Sequence, residues 1–185
     1  MSMPTLRRQW TVEDLEDLPE DGNRYEIIDG ELFVTPSPTY RHQVAVLEIA
    51  VRLRAYLSHN RLAAVLVAPA DVEFSKTRLV QPDVLVVPRI DGKRPKDFAE
   101  ADCLLLAIEV LSPSTARADR VAKRGLFRNE GVEYWIVDLD ARTIERSIPS
   151  DLRVEVLDTT IEWNCERATE PLVIDLNDYF AEVLD

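Results

Sequence analysis

Leu104-Leu105-Leu106-Ala107-Ile108-Glu109-Val110-Leu111 is a continuous apolar run interrupted by one carboxylate. So short and so apolar a run reads as a central strand covered on both faces. Ser112-Pro113-Ser114-Thr115 ends it and supplies an N-cap for a helix over 116–129, which Gly131 closes. Residues 134–137 (YWIV) form the next strand. Upstream, 80–87 (VQPDVLVV) reads as a strand opened by Pro82, with Asp83 at its start. Asp83 and Glu109 are thus charged side chains set in strands that should be buried.

The remaining segments extend this picture. Residues 25–35 (YEIIDGELFVT) read as two short strands around Asp29-Gly30, a hairpin turn signal. Apolar residues spaced three and four apart over 40–57 predict an amphipathic helix with His42 in its first turn. Residues 63–68 and 71–74 read as a strand pair or one bent strand, and 143–148 and 152–157 as an antiparallel pair. Residues 172–176 read as extended, and 178–184 as a last helical turn or two. Thr11, with Asp14 at the third helical position, resembles a capping box. The sum is α/β: a mixed central sheet flanked by helices, with an N-terminal hairpin and additional antiparallel C-terminal strands.

The chain has 185 residues, the length of one ordinary domain, so 1–185 is expected to form a single one. No apolar run reaches the roughly 20 residues that span a bilayer, and the N-terminus lacks a signal-like apolar core. Cys103 and Cys165 form no CxxC or Cys/His cluster, and only His42 and His59 are present. A reduced, cytoplasmic protein without a multi-histidine or structural zinc site is expected. The net charge of −12 argues against a nucleic-acid partner, but it is unevenly spread. Residues 76–128 hold 11 basic and 7 acidic side chains, net +4, whereas 129–185 hold 4 and 15, net −11. Lys76, Arg78, Arg117, Arg120, Arg124 and Arg128 are candidate phosphate contacts, the last four recurring at helical spacing.

An unpaired carboxylate removed from water costs several kcal/mol, so Glu109 should be paired, protonated or bound to a cation. Two strand carboxylates converging at one sheet edge suit a hard divalent cation such as Mg²⁺, which keeps several waters. Lys123 lies 14 residues after Glu109, with Asp119 and Phe127 at i−4 and i+4. An ordinary solvated helix lysine paired with Asp119 would show the same spacing.

Taken together, Tyr25-Glu26-Ile27-Ile28-Asp29-Gly30-Glu31-Leu32, His42, Pro82-Asp83-Val84, Glu109-Val110-Leu111-Ser112-Pro113-Ser114-Thr115, Asp119, Lys123 and Gly131-Val132-Glu133-Tyr134-Trp135-Ile136-Val137-Asp138 resemble the Uma2 family, from about Thr11 to Phe180. The resemblance implies the restriction-endonuclease-like PD-(D/E)xK fold. It implies that Pro82-Asp83 is the PD element and Glu109 the acidic residue of the second element. Leu111 stands where the general motif has its lysine, so a migrated lysine is implied, with Lys123 as candidate. Asp83, Glu109, Lys123 and His42 are then the expected catalytic residues, and Asp83, Glu109 and Glu31 the expected ligands of Mg²⁺ or Mn²⁺. The implied activity is metal-dependent hydrolysis of phosphodiester bonds, in DNA before RNA. The alternative is a catalytically inactive nucleic-acid-binding or protein-interaction module of the same fold. A purely stabilising calcium or magnesium site is a third reading, and no DxDxDG loop supports it. The apolar strands also make a homodimer an expectation.

Overall fold

Asp29 and Gly30 both take positive φ, 51° and 78°. That is the primed turn whose twist joins two strands tightly, and Gly at the second position avoids a Cβ penalty. The strands it joins are β1 (Arg24–Ile28) and β2 (Glu31–Thr35), in register from Arg24↔Thr35 to Ile28↔Glu31. The computed structural model describes residues 8–60, 63–96, 104–165 and 168–185, with 59 and 60 described by their backbone alone. Cys103 and the side chain of His59 lie outside the described residues.

After the hairpin comes helix α1 (Tyr40–Asn60), then β3 (Ala63–Val67), β4 (Val72–Ser75), β5 (Arg78–Val80) and β6 (Val84–Pro88). β3 and β4 neither pair nor form one bent strand. β3 pairs with β6, and β4 pairs with β5. The 80–87 run is likewise divided: Val80 ends β5, Val84 opens β6, and Pro82-Asp83 is the corner between two sheets. Proline, which cannot donate to a ladder, suits that corner.

β7 (Leu106–Val110) is buried at every position, as its apolar run requires. A helical segment follows, made of a π-helical turn (Ala118–Lys123) continuing into α2 (Arg124–Asn129). It returns the chain to β8 (Glu133–Asp138), parallel to β7. β9 (Thr143–Ser147) and β10 (Val154–Leu157) add an antiparallel pair, giving the order β10-β9-β8-β7-β6-β3. A smaller sheet, β2-β1-β5-β4, and a third of β11 (Thr160–Trp163) and β12 (Leu172–Asp175) complete the strands. β11 is an addition to the sequence reading. Helix α3 (Leu176–Leu184) is N-capped by Asp175, whose carboxylate accepts from the N–H of Asn177 and Asp178.

Side-chain alternation along the central strands divides the core. Val84, Val86, Leu106, Ile108, Val110, Trp135 and Val137 pack on one side with α1, α3, β11 and β12. Leu85, Val87, Ala107, Tyr134 and Ile136 pack on the other with Leu126 and Phe127 of α2 and with Ile28, Val72 and Val80. Phe127 fixes α2 there, stacked on Tyr134 at 4.8 Å and edge-on to Phe74 at 6.2 Å. Glu109 alternates with Ala107, so it belongs to this second face.

Candidate active site

β6 and β7 pair with Val84 opposite Ile108. Extending that register by one residue sets Asp83 opposite Glu109, so the corner after Pro82 brings two carboxylates side by side. Both line a narrow pocket of about 190 Å³, walled by Thr35–Thr39 and Leu111–Thr115 and also lined by Arg24, His42, Asp119 and Lys123. All four of Asp83, Glu109, Lys123 and His42 therefore meet in one place.

Asp83 is 3% exposed, and both of its oxygens have partners. Its Oδ1 accepts from Arg24 Nη1 at 2.8 Å. Its Oδ2 accepts from the Val110 N–H at 2.9 Å and lies 3.0 Å from His42 Nε2. Burial works to raise this carboxyl, but the His42 hydrogen bond, the His42 and Arg24 charges and the Val110 N–H outweigh it and hold it well below the usual range. A depressed carboxyl stabilises the folded state above its unfolded pKa and loses that contribution as pH falls. Asp83→Asn is therefore expected to cost about 1.5–3 kcal/mol near neutrality, the scale of hydrogen bonds to a charged group. Urea unfolding of the two proteins near pH 7 and again at acid pH checks this. The difference should narrow as pH falls below the ordinary carboxyl value of 3.8.

Lys123 lies in the π-helical turn, where the Arg124 N–H reaches back to the carbonyl of Asp119. Such turns re-aim side chains and recur at functional sites. The Lys123 ammonium sits 2.7 Å from Glu109 Oε1, 2.8 Å from Glu26 Oε2 and 3.7 Å from Asp119 Oδ1. It is not the solvated helix lysine that its spacing also allowed, being 3% exposed. Burial alone would lower its pKa, but the charges of Glu109, Glu26 and Asp119 raise it, so it stays cationic. Glu109 is pushed the other way. Burial raises it well above the ordinary value, Lys123 opposes this, and Asp83, Asp119 and Glu26 add to it. Asp119 is raised for the same first reason.

Sequence reasoning missed Glu26 as a site residue. It is 1% exposed, and its second oxygen accepts from the Gln81 N–H at 2.7 Å. Its signal was alternation: Arg24, Glu26 and Ile28 share one face of β1, and Ile28 is core. Glu31, expected as a ligand, lies elsewhere. It pairs with Ile28 at the turn end of the hairpin, about 13 Å along the strand from the Arg24 end at ~3.3 Å per residue. There it is exposed and lines a different depression with Gln9, Trp10 and Leu32. Leu111 lines the pocket, while Lys123 supplies the ammonium.

Two of the four arginines at helical spacing, Arg120 and Arg124, are neutralised, and Arg117 and Arg128 make no ion pair among the described residues. Arg120 bonds Asp138 and Glu145, Arg124 bonds Glu145, and Arg78 bonds Asp29 and Glu130. Lys76 faces Glu13 at 3.6 Å.

The cluster thus sets four buried carboxylates, Glu26, Asp83, Glu109 and Asp119, against the fixed cations Arg24 and Lys123. Asp119 Oδ1 is buried and accepts no hydrogen bond among the described residues. Excess buried negative charge and hard oxygen donors fit a divalent cation. Among the described residues, no group of three or more His, Cys, Asp or Glu side chains is arranged to hold a metal ion. A cation held by Asp83 and Glu109 would therefore keep several waters, as Mg²⁺ does.

No helix among the described residues is long and apolar enough to cross a membrane. No curated protein matches the chain. The fold is similar to the crystal structure of a "putative nuclease" from Anabaena variabilis, with a TM-score of 0.73 and 21% identity over 94% of this chain and 99% of that one. The sequence model of Uma2, described as "Putative restriction endonuclease", matches residues 12–176. With that match spanning the hairpin, the carboxylate corner and the lysine helix, the chain belongs to the Uma2 family.

Proposed function

We propose that the protein is a metal-dependent nuclease that hydrolyses phosphodiester bonds, in DNA before RNA. One observation carries this reading: Lys123 reaches Glu109 at 2.7 Å in the pocket where Asp83 stands across the strand pair. Family membership and the nuclease-like fold point the same way.

Asp83 and Glu109 are the proposed ligands of Mg²⁺ or Mn²⁺, and Glu26 and Asp119 add negative charge around them. When bound, the cation supplies Lewis-acid polarisation of the phosphoryl oxygens and a more acidic water. Arg24, His42 and the Val110 N–H hold the Asp83 carboxylate in one orientation, so little reorganisation is left to the reaction. Lys123 places a fixed positive charge where the transferring phosphoryl group gains negative charge. Its partners Glu26 and Asp119 keep it cationic and aimed. His42 Nδ1 is buried with no hydrogen-bond partner among the described residues, which leaves it for a water or a phosphate oxygen.

The test is incubation of the wild-type protein at low salt with Mg²⁺ or Mn²⁺ and a panel of plasmid, linear duplex, single-stranded and branched DNA, with RNA alongside. Cleavage of at least one DNA substrate, stopped by EDTA, is the expected result. No cleavage of any substrate, together with no metal binding by calorimetry, would overturn the reading. The chain's charge of −12 favours the second reading, a non-catalytic binding module, which predicts that outcome.

A further inference from the structure

A depression of about 660 Å³ adjoins the pocket and shares with it the walls Thr39, Leu111, Ser112, Pro113 and Leu139. Three arginines line it: Arg41 from the start of α1, Arg120 from the π-helical turn and Arg142 from the β8–β9 turn. Two carboxylates, Asp138 and Asp140, line it as well. Asp138 is already committed, accepting from the Asp140 and Ala141 N–H groups and from Arg120. Arg120 is equally committed, held by Asp138 and Glu145. Arg41 and Arg142 are exposed and make no ion pair among the described residues.

Arg142 carries a second mark. Its φ is +54°, in the left-handed region that favours Gly or Asn. An arginine there gives up roughly 1 kcal/mol or more of backbone energy. What distinguishes Arg41 and Arg142 is their place, in a depression that shares walls with the hydrolytic pocket. With Asp138 and Arg120 engaged with each other, Arg41 and Arg142 leave the depression with more free positive than negative charge, Asp140 being the one opposing carboxylate, and such a field draws anions toward it.

We infer that this depression is the substrate's exit groove. Arg41 and Arg142 bind backbone phosphates next to the one held in the pocket, so the polymer runs from Asp83 and Glu109 across Ser112-Pro113 toward the β8–β9 turn. The inference rests on the hydrolytic reading of the pocket. It adds the path of the polymer beyond the scissile phosphate and the two side chains that hold it there.

Binding of a fluorescent 20-base-pair duplex, followed by anisotropy in Ca²⁺ across 50–200 mM salt, tests it. The proteins compared are wild type, Arg41→Gln, Arg142→Gly, the double variant and Arg153→Gln as a surface control. Arg142→Gly suits the backbone of its position, so a loss of binding is not a loss of folding. Each phosphate contact contributes about 0.9 to the slope of log affinity against log salt. The double variant should therefore lose about 1.8 of that slope and bind about tenfold more weakly, with Arg153→Gln unchanged. A double variant with wild-type affinity and slope overturns the groove, while cleavage by the wild type keeps the nuclease reading standing. A wild type that binds no nucleic acid at 50 mM salt overturns both.

Discussion

Lys123→Met is expected to lower stability by about 3–5 kcal/mol near pH 8, the cost of leaving buried charge without its partner. Methionine keeps much of the aliphatic length, so the loss is of charge rather than of packing. Glu26, Glu109 and Asp119 would then share a buried space with no ammonium among them. In a chain of 185 residues this corresponds to a fall in melting temperature of roughly 10 °C. The pH dependence identifies the cause. Glu109 and Asp119 have folded pKa values above their unfolded ones, so the folded state holds more protons and its stability falls as pH rises from the ordinary carboxyl range. Removing Lys123 raises those carboxyls further, so the deficit should be smallest near pH 5 and grow toward pH 8. Adding Glu109→Gln should restore part of the loss. Thermal melts of the three proteins at both pH values check this. A Lys123→Met protein as stable as wild type at pH 8 would refute the charge balance described for the pocket.

Much of this arrangement is legible in residue order. A carboxylate inside 104–111 read as a buried strand group in search of a partner, against a strand-end group reaching solvent or an arginine, and β7 is buried throughout. Pro82 marked the break before β6, and Asp29-Gly30 marked the hairpin. What escaped reading depends on pairing across long sequence separations. Nothing local told that β3 would join β6 while β4 joined β5. Short alternating Thr160–Trp163 gave too few residues to separate β11 from a loop. Glu26 and Arg24 gave no local sign of a site role, because their partners Lys123 and Asp83 lie far along the chain. Glu31 is an expected ligand from the resemblance, and the register places it at the turn end of the hairpin, away from Glu26. The arginines at helical spacing looked like a phosphate-binding ridge because their acidic partners, Asp138 and Glu145, lie on strands further along the chain.

Glu109→Gln carries the second large effect, and it divides stability from activity. Glutamine keeps an oxygen for the Lys123 ammonium but removes a carboxyl that burial and three neighbouring acids oppose. Without metal, the variant is expected to be more stable than wild type at pH 8 by about 0.5–2 kcal/mol, the usual gain when a functional compromise is removed. The advantage should shrink as pH falls through the ordinary carboxyl value of 4.5 and vanish below it, where the wild-type carboxyl is protonated in both states. Activity should move the opposite way. A cation's stabilisation of transition-state charge is worth several kcal/mol, and at 1.36 kcal/mol per decade its loss is about a thousandfold in rate.

That combination makes one measurement decisive: initial rates of cleavage of a DNA substrate that the wild type cuts, by equal folded concentrations of wild type and Glu109→Gln, with Mg²⁺ and again with EDTA. The account predicts cleavage by the wild type in Mg²⁺ only. It predicts a rate about a thousandfold lower for the variant, in a protein that melts no earlier. Wild-type cleavage unchanged in EDTA, or a Glu109→Gln protein cutting at the wild-type rate, would contradict it.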